Sequence, residues 1–451
     1  MPKEERKYLL ISPYFPPATR IGAKRALHLT RHLPAHGWRP VVLAAPPLGN
    51  HTDEALWETV PKETTVSFGF HGGGRALGHG VDRLTREGLG DGSLFSVGSV
   101  EPRKKKKRSV NKKQPWRQLN LLGWNVNYLT PFDRYLGDVP AAVWEGRRLI
   151  RAHGLEAIQV SADPWSGLIV GWVLHLLTGL PLLPDLRDPW SLHEGKMAMR
   201  PAPTRWLLRQ IEAEVFRRSA KIIVNTENAR QAYVESYRGL IPEERFVAIR
   251  NAFDGEMLKE HPFESPEAFT VLYFGRFRLF FEPDSLLQGF KAFVDKLGLA
   301  PDEARFTFVG RLRDKDLEKI DAVGLRAYVD NPGYVSLLDS LRVLRAAHVL
   351  LMVVEPSCRL QNPGKLYDYL ASRRPVLAVS ANSEVNEILT STGAGEWAPF
   401  GDPLAMAERL EGFYERWRAG DELVVDPEDV EEFSAREQAE KVAAVLNEVT
   451  A

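Results

Sequence analysis

The stretch NPGKLYDYLASRRPVLAVS, residues 362 to 380, brings a helix start, a lysine and a carboxylate close together. Asn362 can cap a helix and Pro363 suits its first position, so the pattern predicts a helix over Gly364–Ser372, followed by a strand in PVLAVS. Lys365 then sits at the positive end of the helix dipole, where a cation is unfavourable unless an anion is also present. Such a local conflict is expected at a functional site. The free amides at Gly364 and its neighbours would face the same anion. Asp368 lies three residues on, on the same face. Its carboxylate can accept two hydroxyls of a ribose, or pair with Lys365 as an ordinary surface ion pair. Tyr367 and Tyr369 read as packing residues.

Three other places carry candidate chemistry. Gly275 and Arg276 end the apolar run FTVLYF, and Arg276 and Arg278 leave opposite faces of an extended chain. Arg276, directly after Gly275, is the one expected to reach a bound anion, although a surface role is open to both. Gly22, in RIGAKR, permits close approach to a phosphate at the start of a helix, or serves as a plain turn glycine. That loop is not GxGxxG, which argues against a nicotinamide dinucleotide. In DLRDPW, Pro189 fixes the turn beside Asp188, and Trp190 offers an apolar wall. Asp188 is placed to touch a sugar or acceptor hydroxyl, while pairing of Arg187 with Asp185 or Asp188 is the structural alternative. No His or Cys adjoins these aspartates, so no metal site is expected.

The elements that must position these residues alternate strand and helix. KYLLIS, RPVVLAAPP, LEAIQVSA, LPLLPDL and AKIIV read as buried parallel strands separated by helical segments, which makes a doubly wound sheet. Gly37 stops the first helix. A second set starts at FTVLYFGRF after a linker rich in Pro and charge, and continues through ARFTFVG, AYVDNPGYV, AHVLLMVV, PVLAVS and GEWAPF. The expected domains are therefore residues 1–262 and 263–435, with an amphipathic helix over 436–451 that packs near the first domain. Residues 71–117 break the pattern. They are rich in glycine, and Arg103 to Arg117 holds nine basic residues and no acid, so a surface insertion is expected.

The chain has 451 residues, a length that suggests two or three domains, and with 44% hydrophobic residues each could bury a substantial core. Lys plus Arg and Asp plus Glu are equal at 59 each, so no global charge recommends nucleic acid, and no nucleic-acid partner is expected. The basic run is instead suited to an anionic membrane surface, with Trp116 at the interface. The single cysteine, Cys358, excludes an internal disulfide and fits a reducing compartment. The N-terminal apolar run is too short for a signal peptide, and the stretch Leu168 to Pro184 is broken by His175, Gly179 and Pro181. A cytoplasmic protein is expected, or one held peripherally at the inner face of the membrane.

In order and spacing, SPYFPPATRIGAKR, VSADPWSGLIVG, LPLLPDLRDPW, AKIIVNTENARQAYVE with VAIRNAFD, LYFGRF and PGKLYDYLASRRPVLAV together resemble bacterial glycosyltransferases of family 4. The resemblance spans nearly everything except the basic insertion. It implies an α/β protein of the GT-B fold, two Rossmann-like domains with parallel sheets facing across a cleft. The first is the acceptor side and the second the nucleotide-sugar side. It further implies transfer of a sugar from a nucleotide diphosphate donor to a saccharide or lipid-linked acceptor, with retention, without cofactor or metal, in cell-envelope or polysaccharide biosynthesis. Lys365 and Arg276 would contact the diphosphate, with Gly22, Gly275, Asn362 and Gly364 approaching it. Asp368 would hold the ribose. Two departures stand out. Leu360 occupies the place of the family's usual first glutamate, for which Gln361 or Glu355 could substitute at the sugar. The DLRD segment stands where many relatives use histidine. The alternatives are a non-catalytic GT-B-like binding or scaffold subunit and a nucleotide-sugar epimerase.

Overall fold

The computed structural model describes residues 5–19, 21–46, 52, 54–70, 83–85, 120–121, 124–125, 133, 135–258, 262–263, 266–275, 283–333, 335 and 337–451. The expected phosphate ligand Arg276, and the expected insertion apart from the strand Arg83–Thr85, lie outside them. So does the expected membrane segment Arg103 to Arg117. The chain divides into two compact units. The first comprises Met1–Asn225, Ala229–Ile249 and Ala439–Ala451, and the second Thr226–Asn228 and Arg250–Gln438.

Apolar runs such as YLLI and VVLA suit strands buried on both faces, which is what a parallel sheet under helices demands. In the first unit the strands lie in the order Phe246–Ala248, Ile222–Val224, Leu182–Leu186, Ile158–Ala162, Arg6–Ile11, Trp38–Ala44, Thr65–Phe68 and Arg83–Thr85. All neighbours are parallel except the last pair, which is antiparallel. Arg6 pairs with Trp38 and Ile11 with Leu43 across the central register. Gly37 takes φ 82° and closes the turn before Trp38, accepting the left-handed conformation that ends the helical segment there.

The second unit holds six parallel strands in the order Val329–Gly333, Ala304–Val309, Phe269–Phe274, Val349–Val354, Val376–Ser380 and Gly395–Pro399. One side of this sheet is packed by Phe269, Phe290, Phe293, Phe306 and Phe308, all essentially buried. Each contributes about 1.5–3 kcal/mol through the area it removes from water. The other side is covered by the helix Gly364–Ser372 through Leu366, Tyr367, Tyr369 and Leu370.

The second unit begins at Arg250, ahead of the expected boundary at 263. The reason is local pairing. Phe253 N donates to Phe433 O at 3.0 Å and Ala435 N to Phe253 O at 2.7 Å, which binds this stretch to the end of the second unit. The helix Ala435–Val449 then carries the chain into residues of the first unit. There Asn447 Oδ1 accepts from Trp38 Nε1 at 2.9 Å, and Lys221 pairs with Glu448 at 2.6 Å.

Candidate active site

In the second unit the predicted helix runs over Gly364–Ser372. Its N-cap is Pro363, with φ −57° and ψ 134°, and no side chain caps it. The capping role expected of Asn362 is therefore corrected. Asn362 is 4% exposed and turns inward, its Nδ2 3.5 Å from Glu384 Oε1 and its Oδ1 3.5 Å from Asn382 Nδ2. The extended conformation of Pro363 starts the helix one residue later than a capping asparagine would. The first amides, at Gly364 and Lys365, accordingly lack an intrahelical acceptor.

Lys365 does not pair with Asp368. Its Nζ stands over the ring of Tyr273, 4.1 Å from the centroid. No carboxylate among the described residues pairs with it, so the ordinary ion pair within the helix is not formed. Tyr273 belongs to the strand Phe269–Phe274, one residue before its end and two before Gly275. Gly275 has φ 113° and donates its amide to Val309 O at 2.8 Å. A β-carbon on Gly310 would meet Gly275 O at 2.6 Å, so both glycines are required where the two strand ends approach. Tyr369 ties the helix to the sheet, accepting from Phe274 N at 3.0 Å and donating to Leu351 O at 3.2 Å. Burial raises its phenol pKa, keeping it a neutral donor. Asp368 is half-buried on the same helix.

The chain before this helix is held by residues that sequence reading did not single out. Asn382 caps the helix Ser383–Ser391 through its Oδ1 and donates its Nδ2 to Cys358 O at 3.0 Å and Gln361 O at 3.2 Å. Glu384, 2% exposed, accepts from Arg250 Nε at 2.7 Å and from Asn228 N at 3.0 Å. Thr226 Oγ1 donates to Leu360 O at 3.0 Å. An asparagine two residues before Glu384 fits a helix cap and could have been read as one, but fixing Cys358–Gln361 depends on residues far away in sequence. Gln361 Nε2 turns to Cys358 Sγ at 3.4 Å, and Glu355 Oε2 accepts from Ser357 Oγ at 3.1 Å.

In the first unit Gly22 is the second residue of the helix Ile21–His32. The space beside it holds the Arg187 guanidinium, whose Cζ lies 2.7 Å from the position of a β-carbon on Gly22. Arg187 Nη2 also donates to Asp163 O, while Arg187 O accepts from Asn225 Nδ2 at 3.1 Å. Arg187 is thus paired with neither of the aspartates expected as its alternatives. Asp185 is fully buried in the strand Leu182–Leu186, accepting from Arg25 Nε and Gln159 Nε2 at 2.8 Å each. It is a structural carboxylate. Trp190 is no exposed wall: it is 1% exposed and stacks on Trp165 with an interplanar angle of 5°.

Asp188 remains accessible, its side chain 43% exposed. Lys196 Nζ stands 3.7 Å from Asp188 Oδ2 and 3.6 Å from Asp163 Oδ2, bridging loops that follow two adjacent strands. Burial pushes the Asp163 carboxyl up, against the opposing pull of Lys196 and Arg187. His193 caps the short helix Glu194–Ala198, its Nδ1 accepting from Lys196 N at 3.4 Å. Burial lowers its pKa, and Lys196 lowers it further. His193 and Lys196 were missed because only folding brings HEGK beside the VSAD loop. Among the described residues no group of three or more His, Cys, Asp and Glu side chains could hold a metal ion, and no helix is long and apolar enough to cross a membrane.

Residues 22–252 match the family model of the glycosyl transferase 4-like domain, and residues 268–416 match that of glycosyl transferases group 1. No curated protein matches the sequence at a significant level. Among solved structures the chain is similar to S. aureus TarM in complex with Fondaparinux, alpha-GlcNAc-glycerol and UDP, at TM-score 0.60 and 12% identity over 98% of this chain and 100% of that one. It is similar to a glycosyltransferase from Rickettsia africae ESF-5, at 0.59 and 10% over 99% and 98%. It is also similar to Anabaena Alr3699/HepE in complex with UDP-glucose, at 0.54 and 14% over 98% of each chain. At these identities the likeness establishes the fold, GT-B with its two Rossmann-like domains.

Proposed function

This chain belongs to the glycosyl transferase 4-like family, and we propose that it moves a sugar, with retention of anomeric configuration, from a nucleotide diphosphate sugar to a saccharide or lipid-linked acceptor of the cell envelope. The observation that carries this reading is Lys365. It is a lysine at a helix start, against the Tyr273 ring, with no carboxylate paired to it among the described residues. A cation held there without a protein counter-charge is poised for an anion.

The donor diphosphate is assigned to Lys365 and to the amides at Gly364 and Lys365, with Gly275 allowing close backbone approach. Arg276 is assigned to the same diphosphate from its sequence position. As the glycosidic bond breaks, negative charge grows on the departing diphosphate, and preorganised positive groups stabilise that change. The reading gives the counter-charge to these side chains, so activity is expected to survive a chelator. Asp368 is assigned the ribose hydroxyls. In the first unit Asp188 is assigned an acceptor hydroxyl.

Titration calorimetry with nucleoside diphosphates and nucleotide sugars, followed by transfer assays with the tightest donor, tests the reading. Ligand binding to the native state raises its apparent stability. Binding with hydrolysis or transfer, lowered about a hundredfold in Lys365→Ala, supports it. Binding of no nucleotide sugar would leave a scaffold role, and interconversion of donors without any acceptor would indicate an epimerase.

A further inference from the structure

From Gly195 to Ile211 the chain has four basic residues, Lys196, Arg200, Arg205 and Arg209, and no acid. The helix Ala202–Arg218 buries Thr204, Leu208, Glu212, Val215 and Phe216. Trp206 lies two residues from both Thr204 and Leu208, about 160° around the helix from each. It is 64% exposed, Leu207 is 43% exposed, and Met199, just before the helix, is 43% exposed. Arg205 and Arg209 are exposed alongside them. The charge of this face is carried by Arg205 and Arg209: Lys196 is paired with Asp163 and Asp188, Arg200 and Glu212 are buried, and Glu214 is paired with Arg217 and Arg218.

We infer that this face, Met199, Arg205, Trp206, Leu207 and Arg209, docks on an anionic lipid surface. A large indole pointing away from a core that is already filled does nothing for folding, whereas indole rings favour the membrane–water boundary. Arginine stems add apolar length while their heads reach lipid phosphates. A second copy of this chain is the poorer occupant. An isologous contact centred here would bring Arg205 and Arg209 against the same acid-free stretch of the other copy. The stretch begins beside Lys196, which bridges Asp163 and Asp188. Docking would therefore bring lipid to the end of the sheet where the acceptor is assigned. That last clause rests on the proposed function, but the docking does not.

The test is flotation of the full chain with vesicles of phosphatidylcholine alone or with 30% phosphatidylglycerol, a composition chosen at roughly the anionic content that gives a strong surface potential. Binding to the anionic vesicles is expected to fall about twentyfold in Arg205→Gln/Arg209→Gln, near fivefold per arginine. It is expected to fall at least tenfold in Trp206→Ser/Leu207→Ser. Thermal midpoints should be unchanged, and Trp144→Ser, at a 61% exposed tryptophan on another helix, should bind as wild type. Repeating the series in a chain lacking residues 103–113 separates this face from the basic run. Equal binding of wild type and both double variants in that background, or no binding by wild type, overturns the inference. So does a wild-type dimer that the variants dissociate without any change in flotation. No nucleotide is used, so this outcome is independent of the donor-binding test.

Discussion

The guanidinium of Arg187 lies in the space that a β-carbon on Gly22 would need. Gly22 is therefore neither an indifferent turn residue nor an open notch: it is small because an arginine leans on it. Gly22→Ala would push away the end of a flexible side chain, costing about 1 kcal/mol of stability. It would also break the contact from Arg187 to Asp163 O. Transfer is expected to fall about tenfold, equivalent to roughly 1.4 kcal/mol. Steady-state kinetics beside urea denaturation check this, and an active, equally stable variant would return Gly22 to the role of a turn.

Lys365→Ala should lower turnover about a hundredfold, near 3 kcal/mol, because its partner charge increases in the transition state. Asp368→Ala should raise the Michaelis constant with little change in turnover, since ribose contacts are uniform through the reaction. Tyr273→Leu removes the ring beneath Lys365 Nζ, an interaction of about 1 kcal/mol, and should cost turnover roughly fivefold. Wild-type kinetics in all three folded variants would show that this helix is purely structural.

His348 links acidity to stability. It is 1% exposed, its Nδ1 accepts from Thr270 N at 2.9 Å, and burial, with Arg374 nearby, lowers its pKa to about 4. An unfolded histidine titrates near 6.5, so between these values the unfolded chain binds more protons and stability rises with pH. Stability should fall by about 3 kcal/mol as pH drops from 7 to 4. His348→Gln keeps an acceptor and loses the titration. Denaturation curves across this range should show the variant with the shallower dependence, and identical slopes would remove His348 as the cause.

Glu384→Ala strips Arg250 and the amide of Asn228 of their shared acceptor. Because Arg250 is a third exposed, the loss should lie near 2 kcal/mol, below that of a fully buried pair. Glu384→Gln retains an acceptor and should lose less. Donor affinity should fall along with stability, through loosening of the chain ahead of Gly364. Calorimetry that finds unchanged affinity in a destabilised variant would separate the two effects.

The strands and the helix Gly364–Ser372 were legible because periodicity, a proline at the start and β-branched residues after a turn all act locally. The same local reasoning misplaced the cap at Asn362. Its side chain answers to Asn382 and Glu384, which are distant in sequence. LPLLPDL placed Asp185 in a strand, but nothing local showed that its carboxylate would be a buried structural acid rather than a possible partner of Arg187. In the fold its strand runs one residue past it, and Arg25, on the helix Ile21–His32 some 160 residues earlier, pairs with it. Lys196 and His193 carried no signal at all, since a lysine matters there only when two separate loops present carboxylates to it.

The union of Asn447 with Trp38, and of Thr450 O with Arg6 at 3.3 Å, has a consequence for biosynthesis. Ala439–Ala451 belong to the first unit, yet they leave the ribosome only after the whole second unit. The first unit emerges early but must wait, with the Trp38 and Arg6 ends of its central strands unclosed, until the second has been made. Units fold as they are synthesised, so the second is able to finish first, and a stall or cut before residue 439 would leave the N-terminal sheet as the lasting target for chaperones and proteases.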